Sequence, residues 1–445
     1  MHISLDSALG RQRRLNQIGE TINSIATPAA AYSLRSLTGG DPLAVRVRRS
    51  RDADEQDFTV SGVSGIESYI TTPETNWNTQ PTWSISGSGN IVSQSSTATT
   101  STLTVFAYGT SHTIERSSSV THIKASSGDV ITVNLTITNL RQDATLHFRN
   151  NGSAVQAVTV SNGTADYTIT APDTVTDLAF IDIETPDDFS NATITFNSVS
   201  VTAKTGFVTK WYDQSGNNRP LIQTTASEQP MIVESGSFLN GVKSNKATSN
   251  STMQNLQVST DGINPNFGTD DWSSGASSKL GLIYVGSVPA SLIFKTDSDA
   301  VIWGGGRGVS GYQSGGLSLQ IIKGGNDTWK LMNERQGLSP ARTQEGLQTS
   351  AQNTDNDVIW YGIADNRDFT VGVNGAVETD TESADLDTRE NAALSLFGSY
   401  GGDGSAFYQR SGGGVCKECY LYAGTSITSI PTIATKINEH YSIYS

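Results

Sequence analysis

Cysteine is almost absent: Cys416 and Cys419 are the only two in 445 residues. A disulfide framework is therefore excluded, and synthesis in a reducing compartment fits. Charge is scarce as well, at 16%, and it leans to one sign: 43 acidic against 29 basic side chains leave a net charge of -14. Such a field repels nucleic acid and anionic membranes, so neither is expected as a partner. No window is long and apolar enough to insert in a membrane. The start Met1-His2-Ile3-Ser4-Leu5-Asp6 also lacks the basic-then-apolar order of a secretory leader. What fills the gap is serine, threonine, asparagine and glycine around an apolar content of 36%. That is the profile of a loop-rich β-protein, and the length suits two or three domains.

The two cysteines form Cys416-Lys417-Glu418-Cys419. This spacing serves half a zinc site or a redox pair. No second such pair exists, His440 is the only later histidine, and Val415 to Tyr422 reads as a strand. Two structural cysteines are expected. The glycine runs Gly304 to Gly308 and Gly412 to Gly414 lack the downstream Lys-Ser/Thr of a phosphate-binding loop. Acidic loops at Asp270-Asp271, Asp297 to Asp299 and Asp380 to Asp387 suit a calcium ion. None matches an EF-hand, and no other metal or cofactor is expected.

Residues 4–25 carry an imperfect helical stripe that includes Leu15 and Ile18, with Arg11, Arg13 and Arg14 as a basic cluster in an acidic chain. This short N-terminal helix either packs on its own domain or attaches the subunit to a larger assembly. After Ala29, Val45-Arg46-Val47-Arg48-Arg49 alternates as a half-buried strand. Further strands are expected at Leu280–Val285, Ser291–Lys295, Val301–Trp303, Leu317–Ile322, Asp357–Ile363, Phe369–Val373, Leu394–Phe397 and Cys416–Tyr422, with a hairpin turn at Asn374-Gly375. A closing helix is expected from Pro431 to Tyr444.

Between these blocks, Trp77 to Lys204 has its own character: short alternating Thr/Ser-rich runs such as Ile131 to Ile137 and Ala192 to Phe196, separated by turns at Gly128, Gly152 and Gly163. This predicts an antiparallel sandwich spliced into the first domain. Its runs at Ile131 to Asn139, Ala165 to Pro172 and Ala192 to Ala203 resemble those of jelly-roll carbohydrate-binding modules.

The most distinctive words are Ala31-Tyr32-Ser33-Leu34-Arg35 and Trp211-Tyr212-Asp213-Gln214-Ser215-Gly216-Asn217-Asn218. The second reads as a strand end feeding a tight loop, in which glycine and asparagine tolerate positive φ and Asp213 bonds backbone amides. Both resemble the catalytic-domain fold of α-L-arabinofuranosidase B (glycoside hydrolase family 54) and its relatives on phage appendages. The resemblance covers nearly all of 29–76 and 206–445. It implies an all-β, concanavalin A-like sandwich (29–76 and 206–445), with an inserted jelly roll (77–205) and an attachment helix (1–28).

The resemblance also implies residues. Retaining glycosidases need two carboxyl groups roughly 5 Å apart. Gly401-Gly402-Asp403 matches the family's acid/base turn, which makes Asp403 the acid/base of an active enzyme. Where the family has a nucleophilic glutamate this chain has only Asp297 or Asp299, each one methylene shorter, a displacement that costs rate heavily. The family's vicinal cysteine pair near that strand is missing too.

The expectation is a non-catalytic virion structural protein (tail fibre, baseplate or capsid appendage) that binds host surface polysaccharide during adsorption. It would be held to other virion proteins by its N-terminal segment and would form a homo-oligomer, a trimer by preference. The alternatives are an active arabinofuranosidase-like hydrolase and a decoration protein without a ligand. Sugars call for an aromatic platform beside planar polar groups, so Trp77, Trp83, Tyr212, Asp213 and Tyr400 are the glycan-binding candidates. Trp211 and Trp303 are assigned to the core.

Overall fold

The computed structural model describes residues 22, 25–75, 83–85, 89–96, 100–107, 112–116, 125–150, 153–171, 180–185, 190–245, 254–258, 279–288, 300–305, 316–322, 328–334, 356–365, 368–381, 394–397 and 413–444. It is an all-β fold of antiparallel sheets with a C-terminal helix. The N-terminal helix, with Arg11, Arg13, Arg14, Leu15 and Ile18, lies outside the described residues. Of that stretch Ile22 and Ile25 are described; both are helical, and Ile22 is fully buried against the C-terminal helix. The strand expected at 291–295 also lies outside them.

One sheet layer runs Ala30–Ser33, Gly414–Ala423, Lys279–Ser287, Val358–Asp365, Asp368–Val373, Ala376–Thr381. A second runs Glu55–Thr59, Leu43–Arg49, Gly206–Trp211, Leu221–Ile222, Leu256–Val258, Leu394–Leu396, Ala300–Gly305, Gly316–Ile322, Thr328–Glu334. The hairpin Met231–Glu234 and Ser237–Ser244 joins the two. Both layers contribute to one core, which holds Val45, Val47, Trp211, Leu282, Tyr284, Trp303, Trp360 and Leu421.

The long apolar runs in Lys279–Ser287 and Val358–Asp365 follow from burial on both faces. Leu282 and Tyr284 enter the inter-sheet core, whereas Ile283 and Val285 enter a second core beneath the helix Ile430–Tyr441. That helix buries Ile430, Ile433, Ala434 and Ile437, the one-sided stripe of an amphipathic helix. Asn374 (φ 49) and Gly375 (φ 84) make the hairpin turn that their sequence announces.

Residues 74–202 build two further sheets. One is ordered Ser153–Val160, Ala144–Asn150, Phe180–Thr185, His112–Arg116, Trp83–Ile85. The other is ordered Gly163–Thr170, Val130–Thr138, Ser190–Thr202, Ser101–Ala107, Gly89–Ser96. Their facing sides share a separate core containing Val105, Leu135, Leu146, Phe148, Ile183 and Phe196. Among the described residues none of these strands pairs with the larger array. The short strand Glu74–Thr75 pairs with Ser200 and Val201, so entry and exit lie side by side.

The hairpin turn at Ser50-Arg51 plugs this junction. Asp129 is fully buried and accepts from Ser50 Oγ (2.7 Å), Lys204 N (3.0 Å) and Ser126 N (2.8 Å). Burial raises its pKa above the ordinary aspartate value, against those hydrogen bonds. Arg51 Nη1 donates to the carbonyls of Thr72 (2.7 Å), just ahead of the entering strand, and Val201 (2.8 Å), on the leaving strand.

Candidate functional site

The loop after Gly206–Trp211 begins with Trp211 locked in the core and Tyr212 N donating to Ala44 O at 2.9 Å. Gly216 (φ 91) and Asn218 (φ 53) then take the left-handed backbone that these residue types tolerate. Asp213 organises the turn. Its Oδ1 accepts from Ala31 N (3.0 Å) and Ser215 N (2.9 Å); its Oδ2 accepts from Ser215 Oγ (2.8 Å) and Arg219 N (3.0 Å). Gln214, also buried, donates from Nε2 to the carbonyls of Ser33 (2.8 Å) and Arg35 (3.1 Å) and accepts from Leu37 N (3.0 Å). Asn217 Nδ2 reaches Ala29 O at 3.0 Å.

The two distinctive words of the sequence are therefore partners. One clasps the other across about 180 residues of chain. Asp213 was a glycan-binding candidate; with both its oxygens engaged twice within the protein, it acts as the clasp. Replacing it with alanine strands the amides of Ala31, Ser215 and Arg219. The expected cost is about 2–3 kcal/mol in urea denaturation, with Asp213→Asn costing less because one acceptor oxygen remains.

Tyr212 lies on the outer side of the same strands in a row of charges. Its hydroxyl donates to Asp57 Oδ1 at 2.6 Å, and Arg46 grips Asp57 through Nε (2.8 Å) and Nη2 (2.7 Å). The Lys210 ammonium sits 4.8 Å from the centre of the Tyr212 ring, and Arg48 covers Phe207 in the same way at 4.7 Å. Partial burial, then the bond to Asp57, push the Tyr212 hydroxyl up to about 12. The Arg46 hydrogen bond holds Asp57 below the usual carboxylate range. One face of each ring is thus already occupied by a cation.

Asp297, Asp299, Tyr400, Asp403 and Trp77 lie outside the described residues. Trp83 occupies a register position opposite Arg116 in the edge strand Trp83–Ile85. Trp211 and Trp303 are fully buried; Trp303 Nε1 donates to Tyr420 O at 2.9 Å. Among the described residues no three His, Cys, Asp or Glu side chains gather to hold a metal ion.

The sequence reasoning missed a buried polar centre. Glu418, fully inaccessible, accepts from Ser33 Oγ (3.0 Å), Tyr441 Oη (2.8 Å), Tyr420 Oη (2.6 Å) and both Nε and Nη2 of Arg35. The available signal was an acid at an inward position of a strand that is apolar apart from Lys417, and a buried acid needs a charged partner. Cys416 and Cys419 are free and buried next to it in sequence, with burial pushing both thiols up.

The fold and these sites define an all-β protein whose distinctive loop motif is built for holding strands together. No family model matches the chain, and no curated protein is similar to it. Among solved structures it is similar to an arabinofuranosidase complexed with arabinofuranosyl-α-1,2-xylobiose (TM-score 0.34, 13% identity, 55% of this chain and 57% of that one). It is also similar to the CBM2 module of the evolved Dit of Lactobacillus casei BL23 phage J-1 (0.25, 12%, 42% and 78%). A third likeness is to Trypanosoma rangeli sialidase in complex with sialic acid (0.32, 10%, 79% and 62%). The chain spans less than two thirds of the length of the arabinofuranosidase and of the sialidase.

Proposed function

We propose that this chain is a non-catalytic structural subunit of a phage particle that binds neutral glycan on the host surface. In this reading a sandwich body (29–76 and 206–445) carries an inserted jelly roll (77–205), and residues 1–28 attach the subunit to the particle. The observation that carries the proposal is the clasp: the two segments that resemble the arabinofuranosidase-like appendage domains interlock, and the acid at their centre is spent on four internal hydrogen bonds. Segregation of strand pairing into 74–202 and the rest supports the two-unit division. The excess of acidic side chains disfavours polyanionic ligands and leaves uncharged sugars. Copies arranged symmetrically, a trimer by preference, give avidity to weak single sites.

The test pairs a glycan array with an aryl-arabinofuranoside hydrolysis assay on the full chain. The expected outcome is glycan retention without turnover. Hydrolysis that disappears in Asp403→Asn would make the protein the hydrolase of the alternative reading. Array signals at background, together with normal incorporation into particles, would leave a decoration protein without a ligand.

A further inference from the structure

The five strands Gly163–Thr170, Val130–Thr138, Ser190–Thr202, Ser101–Ala107 and Gly89–Ser96 contain a single charged residue, Asp166, in a chain that is 16% charged. Their inward positions fill a core with Ile131, Val133, Leu135 and Ile137. Their outward positions are mostly hydroxyls and amides, with Asp166 among them. The register lines these up: Ser95 faces Thr102, Thr102 faces Thr195, Thr195 faces Thr136, and Thr136 faces Thr164. One hydroxyl per strand therefore crosses the whole sheet, at the strand spacing of about 4.8 Å. A second row, Ser93, Thr104, Thr193 and Thr138, runs beside it.

Threonine is a good strand former, so single exposed threonines need no explanation. This face has more than that. The register of Ser190–Thr202 shifts between Phe196 and Ser198, a bulge that re-aims Asn197. Its Nδ2 donates to Asn134 Oδ1 (2.6 Å) and Thr136 Oγ1 (2.9 Å), while Asn134 donates to Asp166. Thr136 meets Thr164 at 2.9 Å, and Thr102 meets Thr195 at 3.1 Å. The polar groups are thus fixed in place by one another, on β-branched side chains with little rotamer freedom to lose.

We infer that this hydroxyl-lined face is the glycan-contacting surface, and that its ligand is an extended, uncharged polysaccharide lying across the strands. The inference rests on the glycan-binding reading above and locates it. Charge selects the occupant. A face without a cation gives nucleic acid or an acidic polymer nothing to pair with. A second copy of the same face would strip water from its hydroxyls with no apolar burial in return. A neutral polyol offers both donors and acceptors along its length and replaces that water bond for bond. Contact through hydroxyl rows instead of aromatic stacking gives weak single sites, which suits a multivalent particle.

The test is affinity electrophoresis of the full chain in gels cast with arabinan, galactan, mannan or β-glucan. Wild type is expected to be retarded by at least one of these. Thr136→Val with Thr195→Val keeps shape and strand preference but removes two central hydroxyls, and is expected to weaken retardation about ten-fold. Thr195→Lys should do the same by laying a long cation across the row. Thr432→Lys, on the exposed side of the C-terminal helix, controls for charge and should leave retardation unchanged. Retardation equal to wild type in the threonine variants would place the sugar elsewhere and overturn the inference, while the glycan-binding reading stands. No retardation of wild type in any gel would sink that reading and the inference with it. A dimer in sedimentation that Thr195→Lys dissociates would make the face a contact between copies, also overturning it.

Discussion

Arg35→Ala is expected to destabilise the protein by about 3–5 kcal/mol, because it leaves the Glu418 carboxylate buried without its counter-charge. The guanidinium is nearly buried itself and meets both carboxylate oxygens, joined there by Ser33, Tyr420 and Tyr441. Burial alone would raise the Glu418 pKa; the Arg35 charge and the hydrogen bonds from Arg35, Tyr420 and Tyr441 outweigh it and hold the group below its ordinary value. A carboxyl lowered in this way contributes stability that is complete above its unfolded value, about 4.5, and that is lost as pH falls through the folded value.

Without Arg35 the burial effect dominates and the sign reverses. The variant should then gain stability as pH falls toward about 4.5 from above, whereas wild type loses stability only below that value. Urea denaturation from pH 7 to pH 3 reads both the size and the slope. A variant within about 1 kcal/mol of wild type at neutral pH would mean that water reaches the carboxylate. Glu418→Gln keeps the shape and tests the charge alone.

Gly286→Ala should cost about 4 kcal/mol or more, or prevent folding. Gly286 (φ 153) stands opposite Cys416 where the register between Lys279–Ser287 and Gly414–Ala423 shifts. A Cβ there would lie 2.0 Å from Val415 O and 3.0 Å from Cys416 Cα, both backbone atoms that no rotamer change can move. The shift is a bulge, and it explains the cysteine spacing. It turns Cys416 and Cys419 toward the same inter-sheet core, while Glu418 and Tyr420 face the C-terminal helix. Gly65→Ala is the control: nothing lies within 4 Å of its added Cβ, so its effect should stay within about 1 kcal/mol. Thermal melting of the two variants side by side decides the matter.

Elements buried on one or both faces were legible from residue types alone. Val130–Thr138 alternates because one side is core, and Lys279–Ser287 is uniformly apolar because both sides are. Glu55–Thr59 carries no strand pattern because it is an edge strand that buries only Phe58. The helix Ile66–Thr71 is too short for a period to register and has no side-chain cap. Met231–Glu234 and Ser237–Ser244 were missed because their role is to bridge two layers, which no local pattern encodes.

The same limit governs the sites. The tight turn at Gly216 and Asn218 was readable, as was the backbone-binding habit of Asp213. That Asp213 reaches Ala31, or that Glu418 meets Arg35, depends on contacts between residues 182 and 383 positions apart. The hydroxyl rows were hidden for a related reason. Each threonine is unremarked alone, and only strand register assembles them into a surface.

The pairing of Thr75 with Ser200 sets the two ends of the intervening segment next to one another. Among the described residues the strands between them pair only within the segment, and Arg51 and Asp129 grip the root of this two-stranded passage. A different sandwich grafted onto that passage would meet the same anchor and leave the flanking strands where they are. Such a chain can trade the surface it presents to the outside without renegotiating the scaffold that carries it.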